Sequence, residues 1–317
     1  MRCSGFLILT ILMNLPACLS SAQEADSTLL SQVETELSFA DSLSIFKLID
    51  SLLQHAETGG SQLAVRLTYN SNVMSTGRTL GIQNFGLAPG VSYYHKSGLY
   101  ADVSGYWSKD FDPSYYLSIA SIGYMRSFSE RFSLLAGYDR YFYRFEGDGY
   151  VPYSNALSVA PSFDFKQLSI SASYSFYFGD SKAHRIMPGL NFMLEKKNVL
   201  RLDRVAINPG LFLLLGDATV TTLEYSPPKS VAEAVENYRR YGSRFGISIY
   251  DRNVFGIMNY AFSIPVTINH KNWGFAFSYT YNIPRALPGE ALLISESSYL
   301  SGSITYFIAF KRNKFAL

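Results

Sequence analysis

The sequence predicts an all-β protein: an antiparallel transmembrane β-barrel of about 12 strands, within a range of 10–14, preceded by a short amphipathic helix. Three observations predict it. Apolar residues recur at every second position through runs of about ten residues or more, longer than most soluble strands. The residues between them are small and polar, often serine, rather than the Lys and Glu of a soluble surface. Aromatic residues make up 15% of the chain and charged residues only 16%, with Tyr, Phe and Trp gathered near strand ends as in an aromatic girdle.

The clearest stretch is 155–178. Leu157, Val159, Pro161, Phe163 and Phe165 alternate with Ser158, Ala160, Ser162 and Asp164. After Lys166-Gln167 the alternation resumes, with Leu168, Ile170, Ala172, Tyr174 and Phe176 set against four serines. A two-residue turn at Lys166-Gln167 pairs Phe165 with Leu168, Phe163 with Ile170 and Pro161 with Ala172, so each apolar residue faces an apolar partner. Lys-Gln is not a favoured turn pair, so this register rests on the pattern.

At the N-terminus, Arg2, the apolar run Phe6–Met13 and Ser20-Ser21-Ala22 have the order of a secretory signal, expected over 1–22 with cleavage after Ala22. Leu15-Pro16-Ala17-Cys18 offers a lipoprotein box with acylation at Cys18 instead, which Pro16 disfavours. Cys3 and Cys18 are the only cysteines, so a chain cut after Ala22 has no disulfide and no cysteine metal site. Residues 23–60 follow as a periplasmic amphipathic helical segment. Leu29, Leu30, Val33, Leu37, Leu43, Phe46, Ile49, Leu52 and Leu53 recur at helical spacing, Asp41 or Ser42 suits a cap, and Gly59-Gly60 ends it. This segment is expected to pack on the periplasmic rim or exit there, or else to act as a plug or to dock a periplasmic partner through 29–55.

The barrel is expected over 61–317. Its strands are 62–72, 82–94, 99–109, 115–126, 131–145, 155–165, 168–178, 185–195, 200–215, 255–269, 272–282 and 299–311. In 131–145, Asp139-Arg140 puts a charge on either face. In 200–215 the apolar phase slips between Leu202 and Val205, as at a bulge. With His270-Lys271 as a turn, Phe262, Ile264, Val266 and Ile268 pair with Tyr279, Phe277, Phe275 and Trp273. Five prolines (Pro89, Pro161, Pro188, Pro209 and Pro265) fall inside strands and mark bend points. Residues 216–245 break the rhythm and hold a helix over 229–241, begun by Pro227-Pro228 and ended by Gly242. An even strand count puts both barrel ends on one side, with short periplasmic turns and longer outer loops.

The signal, the cysteine-free mature chain, the aromatic alternating strands and a last strand ending Tyr306-x-Ile308-x-Phe310 together resemble Gram-negative outer-membrane β-barrel proteins. The resemblance is architectural and covers 61–311. It implies a place in the cell outer membrane, contact with outer-membrane lipid, and insertion by the barrel assembly machinery, which reads a terminal aromatic residue. Seven residues, Lys311 to Leu317, follow that strand here.

A mature net charge near +1 argues against a nucleic-acid partner. No cofactor is expected: metal-ligand spacings, a P-loop and Gly-rich nucleotide loops are all missing from the sequence. Arg66, Asp102, Asp164, Arg140, Arg144 and Arg185 are expected to line the lumen, as a charge network or a selective pore. The leading expectation is therefore a non-enzymatic outer-membrane barrel acting as a pore or surface scaffold. The alternative is a lipid-modifying barrel enzyme. Outer-membrane phospholipases and lipid A deacylases carry a His-x-Ser pair, and His95-Lys96-Ser97 resembles it, with Gly98 where the phospholipase pattern has Asn.

Overall fold

The computed structural model describes residues 60–71, 86–109, 112–144, 153–290 and 295–310. The expected signal, Cys18, the 29–55 helix and the chain after Phe310 lie outside the described residues.

In chain order the elements are β1 (Gln62–Asn70), β2 (Gly86–Tyr94), β3 (Leu99–Trp107), β4 (Tyr115–Ser127), β5 (Phe132–Tyr143), β6 (Asn155–Phe165), β7 (Leu168–Phe178) and β8 (Lys182–Phe192). Then come β9 (Leu194–Val199), β10 (Leu202–Ile207), β11 (Gly210–Ser226), α1 (Val231–Tyr241), β12 (Gly246–His270), β13 (Trp273–Pro284) and β14 (Ser297–Ala309). Twelve of the strands, β1–β8 and β11–β14, close into an antiparallel barrel. Closure is made by β1 against β14, from Gln62↔Ala309 to Asn70↔Ser301.

The two faces are inverted relative to a soluble sandwich. Outward side chains are large, apolar and accessible: Val103 is 59% exposed, Ile122 61% and Leu211 59%. Many inward ones are small, polar and covered, including Ser92 at 1%, Ser173 at 4% and Thr280 at 3%, and Tyr94, Tyr100, Met125, Leu135 and Phe307 form a buried apolar cluster among them. In water such an outer face costs free energy over its whole area, whereas in hydrocarbon it costs nothing. Closure pairs the barrel's strands on both sides, which the bilayer core demands of any spanning backbone. Among the described residues no helix is long and apolar enough to cross a membrane, so the strands do the crossing. Aromatic contacts gather at both ends: Trp273 against Tyr306 (4.8 Å between centroids) and Phe132 against Phe163 (4.9 Å) at the short turns, and Phe176 against Phe178 (5.5 Å) and Tyr153 against Tyr177 (5.8 Å) at the long loops.

The prolines act on the ladder one neighbour at a time. Proline has no N–H to donate. The β2–β3 ladder skips the two positions around Pro89, β6–β7 skips those around Pro161, and β8–β11 those around Pro188. Pro265 keeps its register with β13 and accepts on its other side from the Asn208 N–H, at 2.9 Å.

Four parts of the structure differ from the expectation. First, the phase slip in 200–215 is not a bulge: the β9–β10 hairpin continues β8 and β11 beyond the short-turn rim in the same register, with the strands interrupted only at Met193 and at Asn208-Pro209, and β10 pairs with β12 in line with β11. Pro209 cannot extend the ladder through its nitrogen, and its carbonyl instead receives the Phe192 N–H (2.8 Å). The hairpin turns at Leu200-Arg201, both with positive φ, rather than at Lys196-Lys197-Asn198. Second, 216–226 is strand. β11 and β12 run on past the barrel as a two-stranded ribbon, Asp217–Ser226 against Gly246–Phe255, and α1 sits at its tip. Outside the bilayer this ribbon needs no strict alternation, so β-branched Thr219, Val220, Thr221 and Thr222 suffice. Third, the β12–β13 register is displaced by two. Lys271-Asn272 form the turn, so Phe262, Ile264, Val266 and Ile268 face Tyr281, Tyr279, Phe277 and Phe275. Asn is a turn former, and placing it in the turn leaves His270 opposite Trp273. Fourth, Asp139 and Arg140 are told apart: Asp139 lies opposite inward Ser121, and Arg140 points the other way.

Candidate functional site

The lumen wall is built by alternation. Arg66 on β1, Ser92 on β2 and Asp102 and Ser104 on β3 all fall on inward positions. Between Arg66 and β3 stands Gly90, opposite both Arg66 and Ser104. A Cβ there would lie 3.1 Å from Arg66 Nε, so the missing side chain is what lets the arginine lie across β2. Arg66 Nη2 donates to Asp102 Oδ2 at 3.0 Å and to Ser104 Oγ at 2.6 Å, and Nη1 donates to Ser92 Oγ at 3.1 Å. Ser92 and Ser104 in turn donate to the two carboxylate oxygens of Asp102. The pair is thus held two-pronged and flanked by two hydroxyls, a geometry that satisfies both charges.

The same device recurs around the wall. The ring of Tyr100 lies over Gly123 and Gly137, where an added Cβ would meet it at 2.6 and 2.7 Å. Phe212 covers Gly189 (2.6 Å), and Arg185 covers Gly216 (2.6 Å). These inward side chains are laid flat against the wall over glycines of neighbouring strands.

Of the other expected lining residues, Arg185 is inward and buried near the long-loop rim. Its Nη1 donates to the backbone carbonyl of Asp217 and lies 3.4 Å from Oδ1. Asp217 also accepts from the His184 N–H and from Asn253 Nδ2 (3.1 Å). Asp164 is half-buried on the inward face at the short-turn end of β6. Arg140 and Arg144 are exposed and do not join this lining. Arg140 donates to Asn155 Oδ1 at 2.8 Å and lies over Phe142, while Arg144 follows the end of β5.

His95 and Ser97 lie in the β2–β3 turn on the short-turn rim, His95 half-buried and Ser97 exposed, with Nδ1 and Oγ 2.7 Å apart. The Ser97 N–H points at the same nitrogen from 3.3 Å, and the Gly98 N–H donates to the His95 carbonyl at 2.9 Å. This is the bonding of a tight turn. Among the described residues no carboxylate contacts His95, and no group of His, Cys, Asp and Glu is placed to hold a metal ion.

Sequence reasoning passed over three features. Asp217, the partner of Arg185, falls in a segment whose sequence lacks the strand rhythm. The polar half of the lumen on β12–β14, with Asn259, Ser263, Ser278, Thr280, Asn282 and Ser303 all buried, carried no charge to draw attention. The loop between β13 and β14 turns inward: Leu287 is buried against Val220 and Met258, and the Arg285 N–H donates to the Met258 carbonyl at 2.8 Å. Alternating Ser, Thr and Asn in β13 was the signal for the polar half.

A closed antiparallel barrel with an apolar outside and a polar inside is an integral β-barrel of the outer-membrane class. No protein-family model and no curated protein matches the chain. Among solved structures, the KdgM porin aligns over 77% of this chain and 98% of its own at 9% identity, with a TM-score of 0.41. An outer-membrane channel from Pseudomonas putida F1 aligns over 78% of this chain and 96% of its own, at 10% identity and TM-score 0.40. LpxR from Salmonella typhimurium aligns over 78% of this chain and all of its own, 100%, at 10% identity and TM-score 0.38. At these values the likeness extends to barrel architecture and to nothing finer.

Proposed function

We propose that the chain is a non-enzymatic pore of the outer membrane, passing small polar solutes through its lumen. The observation that carries this reading is the treatment of bulky inward side chains. Tyr100, Phe212, Arg66 and Arg185 each lie over a glycine of a neighbouring strand instead of reaching across the barrel. On β7, β12 and β13 the inner face is largely serine, threonine and asparagine, while on β1–β6 and β14 Ala64, Tyr94, Tyr100, Met125, Leu135, Ala160 and Phe307 pack together on the inner side. A barrel built only as a scaffold gains nothing from flattening its large residues, and a filled interior would stabilise it more.

Reconstitution of the purified protein in planar bilayers tests the proposal. Stepwise single-channel conductance is expected. Gly137→Val should lower it, because a side chain at that position collides with Tyr100 Oη and turns the ring into the lumen. A barrel that inserts but stays silent overturns the pore and leaves the scaffold.

A further inference from the structure

Near the long-loop rim, Asn259 on β12 and Asn282 on β13 face into the barrel, both buried. Asn259 Nδ2 donates to Asn282 Oδ1 at 2.8 Å. That single bond leaves Asn259 Oδ1 and Asn282 Nδ2 buried with no partner. One free acceptor and one free donor therefore remain on a single bonded pair of amides. Exchanging O and N in both amides leaves the same complement, so the conclusion does not depend on how the amides are turned. Leaving such groups unsatisfied in a buried place is unfavourable, and native structures rarely keep them without a reason.

The surroundings supply the reason. The residue before Asn259 is Met258, the extra residue at the β11–β12 irregularity. Its carbonyl anchors the β13–β14 loop through the Arg285 N–H, and its side chain packs on Leu287. The loop is braced internally, with the Leu287 N–H on Glu290 Oε2 (2.7 Å) and the Glu290 N–H on the Leu287 carbonyl (2.9 Å). Leu287 also lies on the inner side of β12, where a Cβ on Gly256 would meet it at 2.9 Å. The segment 285–290 is thus a small plug, seated on the residue next to the amide pair. Below it Ser263 and Thr280 hydroxyls lie 3.1 Å apart and continue the uncharged polar surface.

We infer that Asn259 and Asn282 form a binding site for a neutral, hydroxyl-bearing solute, reached when Leu287 leaves its seat. A hydroxyl is donor and acceptor at once, and so matches the free acceptor and free donor together. A carboxylate or an ammonium matches only one of them and finds no opposite charge among these residues. With Leu287 seated on Met258, Asn259 Oδ1 and Asn282 Nδ2 are buried without a partner. With Leu287 displaced, a solute hydroxyl restores both bonds. The inference rests on the pore reading for its role, but binding is measurable without conduction.

The test is saturation-transfer NMR on the full chain in detergent, with sucrose as the probe and gluconate as the charged control. Wild type should transfer saturation to sucrose and little to gluconate. Asn259→Leu/Asn282→Leu, which removes both orphaned amides at similar volume, should weaken sucrose binding about tenfold or more. Leu287→Ser should strengthen it, because loosening the plug raises the share of open molecules. The opposite signs separate the site from general damage, which would weaken binding in both. Sucrose binding that is absent in wild type, or equal in wild type and the amide variant, overturns the inference. In that case stepwise conductance would still stand for the pore. Binding of the expected pattern in a silent barrel would uphold the site and remove the pore.

Discussion

The guanidinium of Arg66 reaches over the bare backbone of Gly90 to the carboxylate of Asp102, with Nη1 2.9 Å from Oδ1. The pair links β1 to β3 while skipping the strand between them, so it braces the wall beside the line of closure. Removing Asp102 strands a charge. Asp102→Leu should destabilise by about 3 kcal/mol, the lower end for buried pairs, since Arg66 keeps 16% of its side-chain exposure. Arg66→Met/Asp102→Leu should lose clearly less than the two single variants together. Urea titration of the refolded variants in liposomes measures this. Additive losses would mean that the pair is not coupled.

Gly90→Ala tests the same contact from below. Its Cβ would sit 3.0 Å from Ser104 Oγ and 3.1 Å from Arg66 Nε, so the arginine must shift. A loss of about 1–3 kcal/mol is expected, as for other overpacked sites. If Gly90→Ala is neutral in wild type, the close approach is not a constraint.

On the membrane face, Ile170→Arg and Phe277→Arg place a charge where 45% and 54% of the side chain meets lipid. Each should cost about 2–4 kcal/mol near the midplane. Ser301→Arg, on the inward face of β14 opposite Asn70 and Ser278, should cost far less because its charge stays wet. The measurement is again urea unfolding in liposomes, and equal costs on the two faces would refute the assignment of faces.

How much of this was legible follows from where the bilayer acts. Within the membrane, alternation is enforced on every strand, and it set the register of 155–178: Phe165 faces Leu168 and Phe163 faces Ile170, with the ladder interrupted only beside Pro161. Beyond the membrane the constraint lapses. The ribbon of β11 and β12 has no lipid to face, so its residues carried no alternating signal although they pair over ten positions, from Asp217↔Phe255 to Ser226↔Gly246. The β12–β13 register was ambiguous because a shift by two preserves both faces, and only the turn chemistry of Asn272 distinguishes the alternatives. The lumen pairs needed neighbours two strands apart. Arg66 and Asp102 are 36 residues apart, and nothing local in the chain joins them.

His95 and Ser97 offer a direct test of the enzymatic alternative. Their 2.7 Å contact belongs to a surface turn in which, among the described residues, no carboxylate contacts His95. Purified protein should show no phospholipid hydrolysis, and Ser97→Ala should match wild type in that assay and within about 0.5 kcal/mol in stability. Turnover that disappears in Ser97→Ala would establish the lipid-modifying reading in place of the non-enzymatic one.

The last prediction concerns α1. Ser230 caps the helix by accepting the Glu233 N–H at 3.1 Å, Glu233 Oε2 returns to the Lys229 N–H at 2.8 Å, and left-handed Gly242 closes the other end. The helix is therefore well formed where it stands, at the tip of a ribbon that leaves the barrel after Gly216, where pairing with β8 ends. Ten residues of strand at about 3.3 Å each carry it about 30 Å along the ribbon. Its apolar stripe does not fill the lumen: Val231 is 83% exposed and Tyr238 63%. Deleting 229–241 should thus leave single-channel conductance unchanged, and protease added to intact cells should cut this loop. A changed conductance would make α1 part of the gate. Cleavage only after the periplasm is opened would invert the barrel in the membrane and place the short turns, with His95 and Ser97, outside.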